Sequence, residues 1–342
     1  MTGFGGMTIK RRSAGRKIGR TAAVLGVGLL TGCSDSLPSL PKLTDINPFA
    51  EKQVPLAGKR IPILAEGNKV GGELASADRP ISLPAIVAND SWSQPGGSPS
   101  NSPGHLSLGA APRVVWSSSA GTGSSKYGKL SASPIVYDGK IYTLDAAGVV
   151  TAFAPSGGVA WRVSIAPEGE KNPQKGYGGG IAADGGRLYV ATGYGTVIAL
   201  DPKSGRKFWD RSIGVPVRSS PTAAADRVFV VTVEGELFAL SGADGAESWK
   251  IRGVTEKASI VSNASPAVEG DTVVVPFASG DIVAVKISTG QPIWNENLAR
   301  TRTASSLTAM SDAARPAIDN GTVFAIGHAG RMIATTARTG ER

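Results

Sequence analysis

GTVIALDPKSGRKFW, residues 195–209, decides the fold, because its framework recurs along the chain. Its opening returns as GVVTAF from Gly148, GELFAL from Gly235, GDIVAV from Gly280 and GRMIAT from Gly330. An Ala follows each Gly by four residues: Ala152, Ala199, Ala239, Ala284 and Ala334. A Pro precedes it by fourteen (Pro134, Pro221, Pro266, Pro316), with Ile181 in that slot once. A second glycine (Gly157, Gly205, Gly245, Gly290) stands four residues before a closing Trp: Trp161, Trp209, Trp249 and Trp294. A Trp-to-Trp period of 40–48 residues means one supersecondary unit stacked in tandem, no copy of which buries its apolar faces alone.

Each unit is predicted to hold four short strands. RLYVAT (187–192) is rich in β-formers, Gly195 turns the chain into TVIAL, and DPKSG turns it again into RKFW. DPKSG has turn chemistry: Pro202 presets φ, Asp201 bonds its own backbone and Gly205 accepts a positive φ. TVIAL, ELFAL and DIVAV are nearly continuous apolar runs, whereas a half-exposed antiparallel strand would alternate. Both faces of each small sheet are therefore expected to be covered. Four-stranded sheets stacked face to face at this period are the blades of a β-propeller, and the fold class is all-β. The expected blades are about 131–165, 179–213, 218–252, 263–298 and 314–342, in a propeller region 112–342. The repeated Trp is expected to fill the wedge between blades with its ring N–H on a carbonyl, and the repeated Ala to mark a close approach. RVVW (113–116) reads as an orphan outermost strand. Gly340 is the turn glycine of a fifth unit whose Trp would fall beyond Arg342. The expectation is about four full blades, one partial blade and a ring left incomplete at its C-terminal end.

The front of the chain has a different character. Lys10, Arg11, Arg12, Arg16, Lys17 and Arg20 precede the apolar stretch Thr21 to Leu30, which is too short for a spanning helix. Residues 1–32 read as an export signal ending at Leu30-Thr31-Gly32-Cys33, which resembles a bacterial lipobox. Cys33, the only cysteine, is the expected site of lipid attachment, and several acyl chains make anchoring stable. Ser34 follows it, which by the same resemblance implies the outer membrane. Residues 33–111 read as a lipid-anchored, Pro-rich tether and run-in; ten of the 22 prolines lie in 34–111. SWSQPGGSPSN (91–101) is its last piece, with Trp92 expected to dock on the propeller. Six of the positive charges behind the formal +9 lie in residues 1–32, so the basic pI does not signal nucleic acid, and no basic stripe is interleaved with aromatics.

Catalytic material is sparse. His105 and His328 have no spaced partner for a metal or a triad, and GYGGG (176–180) reads as turn material. No catalytic, cofactor-binding or metal-binding residue is expected. The links between blades are more informative. From each Trp, beginning with Trp116, to the next Pro slot they run 18, 20, 12, 17 and 22 residues, while the spacings inside a blade hardly change. Function collects on such loops. The link 253–265 carries Ile260 and Val261, and the link 299–315 carries Arg300, Arg302, Leu307, Met310, Asp312 and Arg315. An apolar centre with a charged rim is the composition of a binding patch; inward folding of Ile260, Val261 and Leu307 over the blades is the alternative.

LDPKSGRKFW (200–209) resembles the tryptophan-docking repeats of quinoprotein alcohol dehydrogenases. The lipobox, the tether, ASPAVEGDTVVVPF (264–277) and RPAIDNGTVFAIGHAGRM (315–332) together resemble the BamB family of outer-membrane assembly lipoproteins. That resemblance implies an eight-bladed propeller that is a scaffold and not an enzyme, anchored on the periplasmic side of the outer membrane. Its implied partner is the central barrel subunit, BamA, through its POTRA domains, with nascent outer-membrane proteins as further candidates. The family's binding loops fall on Ala258, Ile260 and Val261, and on Ser311, Asp312 and Arg315. Val261 stands where the family has Arg, and Ala314 where it has a second acid. A quinoprotein dehydrogenase and a glycan-binding envelope propeller are the competing readings. The first asks for a base carboxylate, calcium ligands and, in many members, paired cysteines. The second asks for exposed aromatics in the long loops, where only Tyr127 and Tyr177 fit.

Overall fold

The computed structural model describes residues 82–253, 264–298, 314–327 and 330–342. The expected export signal, Cys33 and the expected tether up to residue 81 lie outside the described residues. Those described form nineteen strands in five antiparallel sheets, each a meander in chain order. The first sheet is β1 (Ile135–Tyr137), β2 (Lys140–Leu144), β3 (Val149–Phe153) and β4 (Val159–Ser164). The second is β5 (Gly179–Asp184), β6 (Arg187–Thr192), β7 (Thr196–Leu200) and β8 (Lys207–Ser212). The third is β9 (Thr222–Ala224), β10 (Arg227–Val231), β11 (Glu236–Ser241) and β12 (Glu247–Arg252). The fourth is β13 (Ala267–Glu269), β14 (Thr272–Pro276), β15 (Asp281–Lys286) and β16 (Pro292–Asn297). The fifth holds three, β17 (Ala317–Asp319), β18 (Thr322–Ile326) and β19 (Met332–Thr336).

The first strands β1, β5, β9, β13 and β17 touch one another in that order, so they line an axis. The fourth strands β4, β8, β12 and β16 are exposed apart from the half-buried tryptophan and, in β4, β12 and β16, one further half-buried residue, and form the outer rim. Between them, Val197, Ala199, Leu237, Ala239 and Leu240 are all but inaccessible on both faces of their strands. That is why these strands read as continuous apolar runs: each sheet is sandwiched between its neighbours. Fully burying a Val or Leu contributes about 1.5–3 kcal/mol, and four inter-blade clusters of such residues hold the stack. The sheets are β-propeller blades.

Each tryptophan ties its blade to the next. Trp161 lies over Gly205, Trp209 over Gly245, Trp249 over Gly290 and Trp294 over Gly340, so close that a Cβ on any of these glycines would meet the ring at 2.7–2.8 Å. All four glycines hold φ near +74°, so only glycine suits both the turn and the ring above it. The indole N–H donates to a carbonyl of the following blade: Pro202, Gly242, Ile287 and Ala337, at 2.8–3.1 Å. Ala152, Ala199, Ala239 and Ala284 pair directly across from the tryptophans, and the register slips by one residue just after each. The alanine is small because the indole lies beside it, and the repeated bulge re-aims the end of the third strand.

Arg113–Trp116 forms no strand, against the reading of RVVW as an orphan outer strand. Val114 and Val115 are exposed, and only Trp116 is anchored. It stacks on Phe153 at 6.3 Å, covers Gly157 and donates to the Pro155 carbonyl at 2.7 Å, so it docks as the blade tryptophans do without a sheet behind it. GYGGG also departs from the turn reading: Gly179 and Gly180 begin β5, where added Cβ atoms would strike Ala191 and Ser220. The glycines are there for close backbone approach.

The hairpin between β9 and β10 carries strain that its counterparts avoid. Ala225 and Asp226 both hold positive φ, +53° and +56°, where the equivalent turns use Asp138-Gly139, Gly185-Gly186 and Asn320-Gly321. Two-residue turns of this kind need left-handed residues, and an alanine there is disfavoured by about 1–2 kcal/mol. Ala225→Gly is therefore expected to stabilise the protein by roughly 0.5–1 kcal/mol in urea denaturation, after the entropy cost of glycine. No gain would mean that the turn is not strained as described.

Candidate functional site

In every complete blade the chain leaves the outer strand beside the glycine that opens the third strand. Ile165 bonds to Gly148, Ile213 to Gly195, Gly253 to Gly235 and Leu298 to Gly280, each N–H to carbonyl at 2.8 Å. The links between blades therefore emerge on one face of the propeller, next to the turns that join the second and third strands. The hairpins joining first to second and third to fourth strands occupy the other face. The two links singled out in the sequence flank the fourth blade.

Of the expected binding residues, Ala258, Ile260, Val261, Ser311 and Asp312 lie outside the described residues, as does His328. What surrounds their loops is described. The first departs at Gly253, where an added Cβ would lie 2.8 Å from the ring of buried Phe277. It returns through Ser265 and Pro266, both buried, into β13. The second departs at buried Leu298 and returns at Ala314, whose N–H bonds the Ile326 carbonyl at 2.9 Å. Arg315 follows, half-buried, its guanidinium pKa lowered by desolvation. Both loops are thus pinned at their ends to rigid strands, which is how a scaffold presents a loop.

A groove of about 580 Å³ opens beside Gly253, between the rims of the third and fourth blades, lined by Ile251, Arg252, Phe277, Asp281, Ile293 and Trp294. Its polar wall is fixed. Glu236 is nearly buried and accepts two bonds from Arg252, at 2.9 and 3.2 Å, with Lys250 at 3.9 Å. One carboxylate thus holds two cations whose side chains are half or more exposed. Such exposed pairs contribute at most about 1 kcal/mol to stability, so their placement bears on the rim's charge more than on folding. Asp281 accepts from Ser279 at 2.5 Å and from Asn297 at 2.6 Å.

Arg218 stacks on Tyr177 at 4.5 Å and donates to its hydroxyl, so one of the two aromatics considered for glycan binding has its ring face occupied. Tyr127 is exposed beside Lys126. His105 holds the Pro84 carbonyl at 2.8 Å. Among the described residues no three His, Cys, Asp or Glu come together as a metal site. The sequence did not reveal the Glu236–Arg252 pair or Phe277; the alternating charges of ESWKIR on an outer strand were the available signal.

The chain matches the family model described as outer membrane protein assembly factor BamB over residues 146–342. It is 27% identical over 236 residues to the outer membrane protein assembly factor BamB of Yersinia pestis, covering 68% of this chain and 60% of that one. The chain thus spans about 60% of the length of this curated relative. Among solved structures, BamB of Moraxella catarrhalis superposes with a TM-score of 0.55 at 21% identity, covering 61% of this chain and 62% of that one. The quinohemoprotein alcohol dehydrogenase of Comamonas testosteroni superposes with a TM-score of 0.56 at 14% identity, over 73% of this chain and 48% of that one. Both structural likenesses speak to the fold.

Proposed function

The chain belongs to the BamB family of outer membrane protein assembly factors, and we propose that it is a non-catalytic scaffold that helps fold and insert outer-membrane proteins. It holds the POTRA domains of a BamA-type barrel subunit through the two links that flank the fourth blade. It is anchored at the periplasmic side of the outer membrane by lipid on Cys33. The observation that carries this reading is the placement of the links 253–265 and 299–315: both leave from equivalent points on one face, pinned to rigid strands. A partner spanning the fourth blade can touch both. The groove beside Gly253 adds apolar depth, and Arg252 adds charge at its edge.

Ile260→Glu is expected to place a charge in the apolar centre of this interface, and Asp312→Lys to reverse a rim charge. Losing a central contact typically costs about 2 kcal/mol or more, so capture of the barrel subunit from solubilised envelope is expected to fall at least ~tenfold for Ile260→Glu. Asp312→Lys is expected to slow association and to raise its salt dependence. Both variants should keep the wild-type unfolding transition. Unchanged recovery of the barrel subunit by both would sink the assignment. Absorbance of a bound quinone in the purified protein would favour a quinoprotein instead.

A further inference from the structure

SWSQPGGSPSN belongs to no repeat, yet it touches all five blades. The contact is made at one position of the repeat, two residues after the Pro slot: Val136, Ala183, Ala223, Val268 and Ile318. The N–H of Val136 bonds the Trp92 carbonyl at 2.9 Å, that of Ala183 the Ser93 carbonyl at 2.8 Å, and that of Ala223 the Gln94 Oε1 at 3.2 Å. The N–H of Val268 bonds the Pro99 carbonyl and that of Ile318 the Ser100 carbonyl, both at 2.8 Å. Acceptors and blades follow the same order. The donations run back as well. Trp92 N–H reaches the Val136 carbonyl at 2.7 Å, and Gln94 Nε2 reaches the carbonyls of Ala183 (3.2 Å) and Ala223 (2.9 Å). Asn101 Nδ2 reaches those of Pro266 (3.2 Å) and Pro316 (2.9 Å), one from each of two blades.

The segment is built to make these bonds. Gln94-Pro95-Gly96-Gly97 and Ser98-Pro99-Ser100-Asn101 are consecutive turns, closed by Gly97 N–H to Gln94 O at 2.8 Å and Asn101 N–H to Ser98 O at 3.0 Å. Each has Pro second and a left-handed residue fourth, Gly97 at +92° and Asn101 at +56°. Proline fixes the turn before docking, which lowers the entropy lost on ordering. Gln94 is 1% exposed, so its amide sits inside the axis with both ends bonded.

The first strand of every blade is a sheet edge, and its axial N–H and C=O groups need partners once buried. Stacked repeats otherwise interact only with their neighbours, and their stability is a sum of nearest-neighbour terms. We propose that Trp92–Asn101 is an axial strap that gives non-adjacent blades a common partner and couples the five sheets into one cooperative unit. The strap docks as a whole, so loosening it at one end releases it from the blades at the other.

Hydrogen exchange of the full chain tests this. Gln94→Met keeps the length and removes the side-chain bonds to the second and third blades, leaving that of the Ser93 carbonyl; Asn101→Gly keeps the left-handed backbone and removes the side-chain bonds to the fourth and fifth, leaving those of the Pro99 and Ser100 carbonyls. Gln94→Met is expected to speed exchange at Val268 and Ile318, which Gln94 does not touch, by about tenfold or more. Asn101→Gly is expected to do the same at Val136 and Ala183. Changes confined to the blades each residue touches would overturn the proposal, since independent bonds act locally. Should Gln94→Met fail to fold, exchange at Val136 and Ala183 in Asn101→Gly decides alone.

Discussion

Replacing Trp209 by Ala is expected to destabilise the protein by about 3 kcal/mol, the scale of emptying a large aromatic site. The ring covers Gly245, packs on Tyr189 at 6.0 Å and donates to the Gly242 carbonyl at 3.1 Å, so its loss opens the seam between the second and third blades. Trp209→Phe separates ring from donor. The Gly242 carbonyl has two lone pairs and a second donor, the Tyr189 hydroxyl at 3.2 Å. Burial raises the Tyr189 pKa to about 12, so that hydroxyl keeps its proton at neutral pH. Trp209→Phe therefore leaves the carbonyl satisfied and is expected to cost only about 1 kcal/mol beyond lost packing. At the next seam Phe229 stands in the place of Tyr189, and the Ile287 carbonyl receives the Trp249 N–H at 2.8 Å with no tyrosine beside it. Trp249→Phe is accordingly expected to cost more than Trp209→Phe, toward the roughly 1–3 kcal/mol of a stranded buried acceptor. Urea denaturation of the three variants measures these differences. Equal losses for the two Phe variants would show that the paired donors do not share the work of satisfying one carbonyl.

The repeat was legible because its residues answer to local demands that recur in every copy. A turn that needs positive φ under an indole admits only glycine, as at Gly205 and Gly245, and a strand covered on both faces admits only apolar side chains. The tryptophan's destination followed from its size and its single donor. The strap was illegible for the opposite reason. Gln94 and Asn101 meet carbonyls 89 to 215 residues away, and neither composition nor period announces partners that distant. RVVW misled because β-branched composition predicts a strand, whereas a strand also needs a neighbour to bond, and none is present among the described residues. The candidate interface was legible only as link length and composition. The groove floor at Phe277 comes from packing between blades, which a single unit of the repeat does not encode, and the Glu236–Arg252 pair from the cross-strand register inside the third blade, which no other copy of the repeat announces.

Cys33→Ser is expected to move the protein from the membrane fraction to the soluble fraction, or to leave it as an unprocessed precursor. The apolar stretch Thr21–Leu30 is ten residues long, about 15 Å as a helix, half of a bilayer's ~30 Å core. It is too short to hold the chain in a membrane as a spanning helix, and on the proposed reading retention falls to acyl chains on residue 33. Each buried CH₂ contributes about 0.8 kcal/mol; a single chain binds reversibly, whereas several anchor stably. Serine offers no thiol for the thioether, and the anchor fails outright rather than by degrees. Fractionation with an alkaline wash, together with incorporation of labelled palmitate, reads both parts of the expectation. Palmitate incorporation into the Cys33→Ser protein, or wild-type chains free of label, would remove Cys33 as the anchor. Membrane retention that survives the substitution without label, but is released from strains lacking the barrel subunit, would assign attachment to the partner. The propeller would then be held through its link face, and the Pro-rich segment, at up to ~3.3 Å per extended residue, would serve as a spacer without a load.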